Sequence, residues 1–123
     1  MFVDDEEVLG RLAEHFFTDF GYRVSSFTDS GEAWVAFKSD PDNFDLVISD
    51  QTMPQMSGFD LASQILALKP ETPFVLCTGY SADVSRESAF ALGISRFVQK
   101  PVEMEKLGLI VRGLLDRRVD KKE

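Results

Sequence analysis

The sequence predicts an α/β fold in which an open parallel sheet is covered by helices on both faces. Short apolar runs alternate with amphipathic stretches five times along the chain, which is typical of successive βα units. The length of 123 residues suits one domain and is too short for an eight-unit barrel. Because crossovers between parallel strands are right-handed, the five units form a doubly wound, three-layer αβα sandwich.

The first βα unit is the least regular. Its apolar run covers only residues 1–3, so we expect the true strand to begin upstream of Met1. The following helix is predicted from one apolar face, in which residues recur every four positions from Val8 to Phe20 with Leu9, Ala13 and Phe17 beside them, and Gly21 ends it.

The other four units follow at regular intervals. Their strands are predicted at residues 23–27, 46–48, 74–77 and 97–98. Their helices are predicted from a cap at Asp29 to a stop before Pro41, and at residues 61–68, 83–92 and 107–115.

Composition excludes several classes of protein. The chain has 13 Lys and Arg against 21 Asp and Glu, a net charge of −8 that repels phosphate backbones and argues against direct nucleic-acid binding. No apolar run reaches the length of a membrane helix and no signal peptide opens the chain, so we expect a cytoplasmic protein with no membrane contact. A single cysteine, Cys77, and a single histidine, His15, exclude an internal disulfide and a Cys- or His-rich metal site.

Polar side chains follow four of the five predicted strands. They are Asp4 and Asp5, Asp50, Thr78 and Lys100. Ligands of open α/β sheets bind where the carboxyl ends of the strands meet, so these side chains are expected to converge. Three carboxylates without His or Cys suit Mg²⁺, and a nearby ammonium and hydroxyl would hold phosphoryl oxygens. Asp50, on the central strand, is the best candidate for a carboxylate nucleophile that forms an aspartyl phosphate.

Four segments of the chain resemble the receiver domains of two-component response regulators. They are residues 2–6 (FVDDE), 49–58 (SDQTMPQMSG), 77–80 (CTGY) and 99–101 (QKP). The D-x-x-M-P-x-M-x-G run that starts at Asp50 is the most specific of them, and the resemblance extends over nearly the whole chain. The resemblance implies the flavodoxin-like strand order 2-1-3-4-5.

The resemblance also implies an acceptor and a metal site. Asp50 would take a phosphoryl group from a histidine kinase or a phosphotransfer domain. Asp5 and Asp50 would ligate Mg²⁺ directly and Asp4 would do so through water. Thr52 would offer the metal its backbone carbonyl.

A second group of residues would hold the phosphoryl group and respond to it. Thr78, Lys100 and the backbone of Gly79 would bind its oxygens, and a cis peptide before Pro101 would fix where Lys100 points. Thr78 and Phe97 would form the switch, which changes the face made by the fourth helix, fifth strand and fifth helix.

Residues near the site affect how long the phosphoryl group persists. Thr52 and Tyr80 would flank the path of an attacking water. The switch position holds Phe97, which lacks the hydroxyl of a tyrosine, so its burial should be easier.

We expect residues 1–118 to form the receiver domain and residues 119–123 a charged tail or linker. The domain is interpreted as a signalling domain and not as an enzyme, either stand-alone or part of a larger regulator or hybrid kinase, with an unidentified effector downstream. One alternative is an interaction module that takes no phosphate, although all five site residues are present. The other is a Mg²⁺-dependent aspartyl phosphatase, which usually needs a second acid where this chain has Thr52.

Overall fold

The computed structural model describes residues 1–79 and 84–122 and contains one five-stranded parallel sheet. The strands are β1 (Phe2–Val3), β2 (Ser26–Phe27), β3 (Val47–Asp50), β4 (Phe74–Thr78) and β5 (Arg96–Gln99). The helices are α1 (Glu7–Asp19), α2 (Ser30–Ser39), α3 (Gly58–Leu68), α4 (Arg86–Leu92) and α5 (Met104–Lys122), with a short 3₁₀ helix at Pro41–Asn43. The strand order β2-β1-β3-β4-β5 confirms the predicted topology.

Two apolar clusters pack on opposite faces of the sheet and make the three layers. Val3, Phe37, Leu61, Ile65 and Leu76 belong to the cluster under α2 and α3. Phe2, Phe17, Ile48, Val75 and Val111 belong to the cluster under α1 and α5. Neighbouring residues of one strand point to opposite faces, which is why the central strands are continuous apolar runs.

Side-chain caps determine where three helices begin. Asp29 accepts hydrogen bonds from the amides of Gly31 and Glu32 at the start of α2. Ser57 accepts one from Asp60 at the start of α3, and Ser85 caps α4 in the same way. Each cap satisfies an amide that has no partner within its helix.

The second strand is shorter than predicted. Residues 23–27 were expected to form it, but β2 contains only Ser26–Phe27, which pair with the two residues of β1. β2 is an edge strand, so β1 is its one neighbour in the sheet. Residues 23–25 have no strand beside them to complete their pairing.

The predicted apolar face of α1 is buried along one side only. Ala13 and Phe17 are buried, as expected, whereas Val8, Leu12 and Phe20 are 60%, 52% and 69% exposed. The predicted face was therefore wider than the part of the helix that packs on the sheet.

The last two helices agree only approximately with the predicted boundaries. α4 begins at Arg86, and residue 83 of the predicted helix lies outside the described residues. α5 continues from Met104 to Lys122, well beyond the predicted residue 115. Within residues 1–79 and 84–122, no helix is both long enough and apolar enough to cross a membrane.

Candidate functional site

Three carboxylates meet at the carboxyl ends of β1 and β3. Asp4, Asp5 and Asp50 each place one oxygen within 4.8 Å of the other two. Asp4 and Asp50 are 4% and 7% exposed, and Asp5 is open to solvent. The two strands are adjacent and parallel, so their ends coincide and the acids cluster as the sequence predicted.

Lys100 reaches this cluster from the end of β5. Its Nζ lies 3.0 Å from Oδ1 of Asp50 and 3.4 Å from Oδ2 of Asp4. Its backbone amide donates to the carbonyl of Thr78 at 2.7 Å, and the following peptide bond, to Pro101, is cis. Lys100 therefore supplies a positive charge between the two buried acids.

The pKa values of Asp50 and Lys100 depend on the burial of each group and on the interaction between the two. Burial raises the pKa of Asp50 most strongly; Lys100 opposes this, while Asp4 and Asp5 add to it. Burial lowers the pKa of Lys100, but the hydrogen bond and charge of Asp50 and the charge of Asp4 outweigh it, so that pKa is raised. Lys100 therefore stays charged at neutral pH, while the ionised form of Asp50 is disfavoured relative to an exposed carboxylate.

The loop after Asp50 is held by contacts close to the acid. A β-carbon on Gly58 would lie 2.3 Å from the Asp50 carbonyl oxygen, so only glycine fits there. The Gly58 amide donates to the Gln51 carbonyl at 3.0 Å, and Gln51 Oε1 accepts from the Phe59 amide at 2.8 Å. These two hydrogen bonds join the two ends of the loop, at Gln51 and at Gly58 and Phe59.

Ser30 fixes the middle of the same loop from α2. Its hydroxyl donates to the Met56 carbonyl at 2.8 Å and accepts from the Met56 amide at 3.1 Å. The sequence analysis missed the roles of Ser30 and Gln51, which carry no local signal. The sequence indicated Gly58 only as the last residue of the D-x-x-M-P-x-M-x-G run.

An adjoining cavity of about 410 Å³ opens beside the acids. The polar residues in its lining include the two buried acids, Asp4 and Asp50, and Lys100, with Gly79 and Glu6 beside them. The apolar residues in its lining include Leu9 of α1 and Met104 and Leu107 of α5. Gly79 is thus brought to the site, and a β-carbon there would meet no atom within 4 Å.

The two predicted switch residues lie on neighbouring strands. Thr78 ends β4 and is 2% exposed, and Phe97 on β5 pairs with Leu76, two residues before Thr78. Phe97 packs partly buried against the α2–α3 cluster. The guanidinium of Arg86, at the start of α4, lies 5.2 Å from the centre of its ring, a contact the sequence analysis missed.

The roles predicted for Thr52 and Tyr80 are not tested by the geometry of the site. Thr52 is exposed in the loop after Asp50, and its carbonyl role remains a prediction. Tyr80 lies outside the described residues.

The donor set fits a hard divalent cation. The cluster offers carboxylate oxygens, and the one cysteine nearby, Cys77, is buried, which raises its pKa to about 12 and keeps it a protonated thiol. Oxygen ligands with an open, solvent-facing member are what Mg²⁺ takes, since it keeps several of its waters.

Comparison with known proteins identifies the family. The family model of the response regulator receiver domain matches residues 1–112. The response regulator SaeR of Staphylococcus aureus is 28% identical over 117 residues, which are 95% of this chain and 50% of SaeR. This chain thus spans about half the length of that relative.

Solved structures agree with this assignment. The chemotaxis protein CheY4 of Vibrio cholerae is 26% identical with a TM-score of 0.81, and the match covers 92% of this chain and 94% of that one. A response regulator receiver domain protein from Clostridium thermocellum shares the fold with a TM-score of 0.89 at 24% identity, over 95% of this chain and 93% of the other. The chain belongs to the response regulator receiver domain family, a family of signalling domains that typically bind Mg²⁺.

Proposed function

We propose that this domain is a phosphoacceptor in which Asp50 takes a phosphoryl group from a histidine kinase or a phosphotransfer domain. The observation that carries the proposal is the cluster of Asp4, Asp5 and Asp50 within 4.8 Å, with Lys100 Nζ 3.0 Å from Asp50. Like charges at this distance are stable only with cations among them, and a phosphoryl group needs the same cations.

The residues have separate tasks in the transfer. An oxygen of the Asp50 carboxylate forms a bond to phosphorus while the bond from phosphorus to the donor's imidazole nitrogen breaks, and the electron pair leaves on that nitrogen. Lys100 and Thr78 hold the phosphoryl oxygens, together with the Gly79 amide. The low dielectric around the buried Asp50 strengthens these contacts.

A magnesium ion would be held by Asp5 and Asp50, by Asp4 through water, and by the Thr52 carbonyl. When bound, it would neutralise the carboxylates and the charge that develops on the phosphoryl oxygens. The burial that raises the pKa of Asp50 favours its protonation, so Lys100 and the metal together keep Asp50 ionised and nucleophilic.

Phosphorylation would then change the face formed by α4, β5 and α5. Thr78 moves toward the new phosphoryl oxygens, and Phe97 follows into the space it leaves. The pairing of β4 with β5 supports this coupling, because Phe97 lies beside the strand that ends in Thr78. Such a two-state element converts a local charge into a surface signal.

We place this activity in the cytoplasm, within residues 1–118, with residues 119–123 as a linker or tail. The signal passes to an effector domain or protein, without direct nucleic-acid or membrane contact by this domain. A domain in this role promotes its own phosphorylation and dephosphorylation, and it is not counted as an enzyme.

Acetyl phosphate tests the proposal. With millimolar Mg²⁺ it should add one phosphoryl group, which intact-mass spectrometry detects and peptide mapping locates on Asp50. EDTA should prevent the modification.

Two matched variants sharpen the experiment. Asp50→Asn should not be labelled, whereas Asp19→Asn, which removes the same charge from an exposed site on α1, should be labelled normally. Equal labelling of both variants would refute the assignment. Absence of label on the wild-type chain would favour the interaction module, and free phosphate released from many esters would favour the phosphatase.

A further inference from the structure

A buried hydroxyl on α2 holds the loop that follows Asp50. Ser30 is the first residue of α2 and is 1% exposed. Its Oγ donates to the Met56 carbonyl at 2.8 Å and accepts from the Met56 amide at 3.1 Å. One side chain thus pairs with both backbone groups of a residue 26 positions away in the chain.

The topology of the sheet explains why these two segments meet. α2 follows β2 and so begins at the carboxyl end of the sheet, where the loop from β3 to α3 also lies. The side chain of Asp29 accepts from the Gly31 and Glu32 amides and fixes the first turn of α2. Ser30 therefore contacts the loop from a capped helix end, which gives a more precise position than a loop would.

Ser30 adds to two other anchors of the same loop. Hydrogen bonds join Gln51 to Gly58 and Phe59 at the ends of the loop. The side chain of Met53 is 9% exposed and packs in the cluster under α2 and α3. The contact with Ser30 fixes the part of the loop nearest α3.

We propose that Ser30 is a positioning residue for the metal site, because it keeps this loop in the conformation that binds Mg²⁺. The inference rests on the proposed function, in which Asp50 and the Thr52 carbonyl hold the ion. Thr52 lies between Asp50 and Met56 in the chain, so a loop held at both of these residues needs little further ordering when the metal enters.

Removing the hydroxyl should change the population of loop conformations. Ser30→Ala takes away the partner of the Met56 amide and of the Met56 carbonyl. Backbone groups that lose a partner inside a protein turn to water, since leaving them unpaired costs free energy. A smaller fraction of molecules then holds the competent loop, and the apparent dissociation constant for Mg²⁺ rises by the inverse of that fraction.

Two measurements test the inference, and neither requires phosphorylation. In an NMR titration with Mg²⁺ alone, Ser30→Ala should bind about 10-fold more weakly than the wild type, as the loss of two neutral hydrogen bonds allows. In the metal-free protein, the Met56 amide should exchange about 10-fold faster or more. Alanine keeps the β-carbon and favours a helix, and the Leu76 amide in β4 reports that the variant is folded.

Ser39→Ala is the matched control at the other end of α2. It removes an exposed hydroxyl that donates to the Val35 carbonyl at 2.7 Å. Both the Mg²⁺ affinity and the exchange of the Met56 amide should stay at their wild-type values in this variant.

The outcomes separate a positioning role from a purely structural one. A Ser30→Ala protein that melts at a lower temperature but binds Mg²⁺ with wild-type affinity would overturn the inference. Unchanged exchange of the Met56 amide would overturn it as well, and so would a wild-type chain that binds no Mg²⁺. Labelling with acetyl phosphate tests the proposed function separately. A wild-type chain that binds Mg²⁺ and takes no label would reject the phosphoacceptor, while weaker Mg²⁺ binding by Ser30→Ala would still support the role of Ser30.

Discussion

The two ends of the parallel sheet are built differently, although β1 and β3 run through both. At the carboxyl end, Asp4 and Asp50 are fixed by Lys100 and by the loop that Gly58 closes. At the amino end, the Met1 amino group donates to the Leu46 carbonyl, and mainly apolar side chains line a cavity of about 400 Å³. The difference shows that the carboxyl end is held by charged side chains that meet across strands, whereas the amino end is held by backbone bonds and apolar packing.

Adding a β-carbon at the carboxyl end of the sheet should have the largest effect on the free energy of unfolding. Gly58→Ala is expected to destabilise the fold by about 3 kcal/mol, because the new β-carbon would lie 2.3 Å from a backbone oxygen that cannot move freely. Urea unfolding measures the change. Gly113→Ala on α5, where a β-carbon meets no atom within 4 Å, is the control and should gain about 0.5–1 kcal/mol. If the Gly58→Ala variant were as stable as the wild type, the close approach of residue 58 to the Asp50 carbonyl would be contradicted.

The amino end should respond to pH through the Met1 amino group. Its pKa falls from 8.0 when exposed to about 6 in the fold, chiefly through burial, which Asp45 opposes. The folded state therefore releases this proton more readily, so stability is lost as pH falls from 8 to 6, by about 2 kcal/mol.

Acetylation of the amino terminus isolates that effect from other titrating groups. The difference in the free energy of unfolding between the free and the acetylated chain should change across this pH window. A constant difference from pH 8 to pH 6 would show that the amino group is well solvated.

Neutralising one acid should stabilise the carboxyl end without metal. The pKa of Asp50 is raised in the fold, mainly by burial, so stability is highest below its unfolded pKa and is lost as pH rises through the folded one. Asp50→Asn is expected to raise the free energy of unfolding by about 1 kcal/mol in EDTA at neutral pH. It should also reduce the gain in melting temperature with Mg²⁺. A lower melting temperature with an undiminished Mg²⁺ gain would place Asp50 outside the acidic site.

The smallest expected effect concerns Arg86 and Phe97. Arg86→Met keeps the aliphatic stem and removes the cation 5.2 Å from the ring, which should cost about 0.5 kcal/mol. Arg11→Met on the exposed side of α1 is the matched control. Amide shifts of β5 should change in the first variant only. If they stay fixed in both, the Arg86 guanidinium does not hold the Phe97 ring.

The order of residues along the chain predicted the five βα units and the acid cluster, whereas the strand order 2-1-3-4-5 was implied by the resemblance to receiver domains. Asp4, Asp50 and Lys100 each follow an apolar run, and parallel strands carry such positions to one edge. The order of residues does not reveal how deeply each acid is buried, and burial is the largest cause of the raised pKa of Asp50.

Other features could not be predicted because they depend on packing between distant segments. Val8 and Leu12 fit a helical face by spacing, but the orientation of α1 on the sheet buries Ala13 and leaves both of them exposed. Ser30 and Met56 meet through a hydroxyl that has no motif of its own. The extent of β2 also depends on its partner, because its two residues pair with the two residues of β1.

The contact between Lys100 and Asp4 joins residues 96 positions apart in the chain. During synthesis, the ribosome must pass residue 100 before the ammonium exists, and the last strand must dock before it reaches the acids. A nascent or proteolytically shortened chain that lacks β5 carries the acidic residues without their cation. The charge balance of the site is therefore complete only after β5 has been synthesised and has docked beside β4.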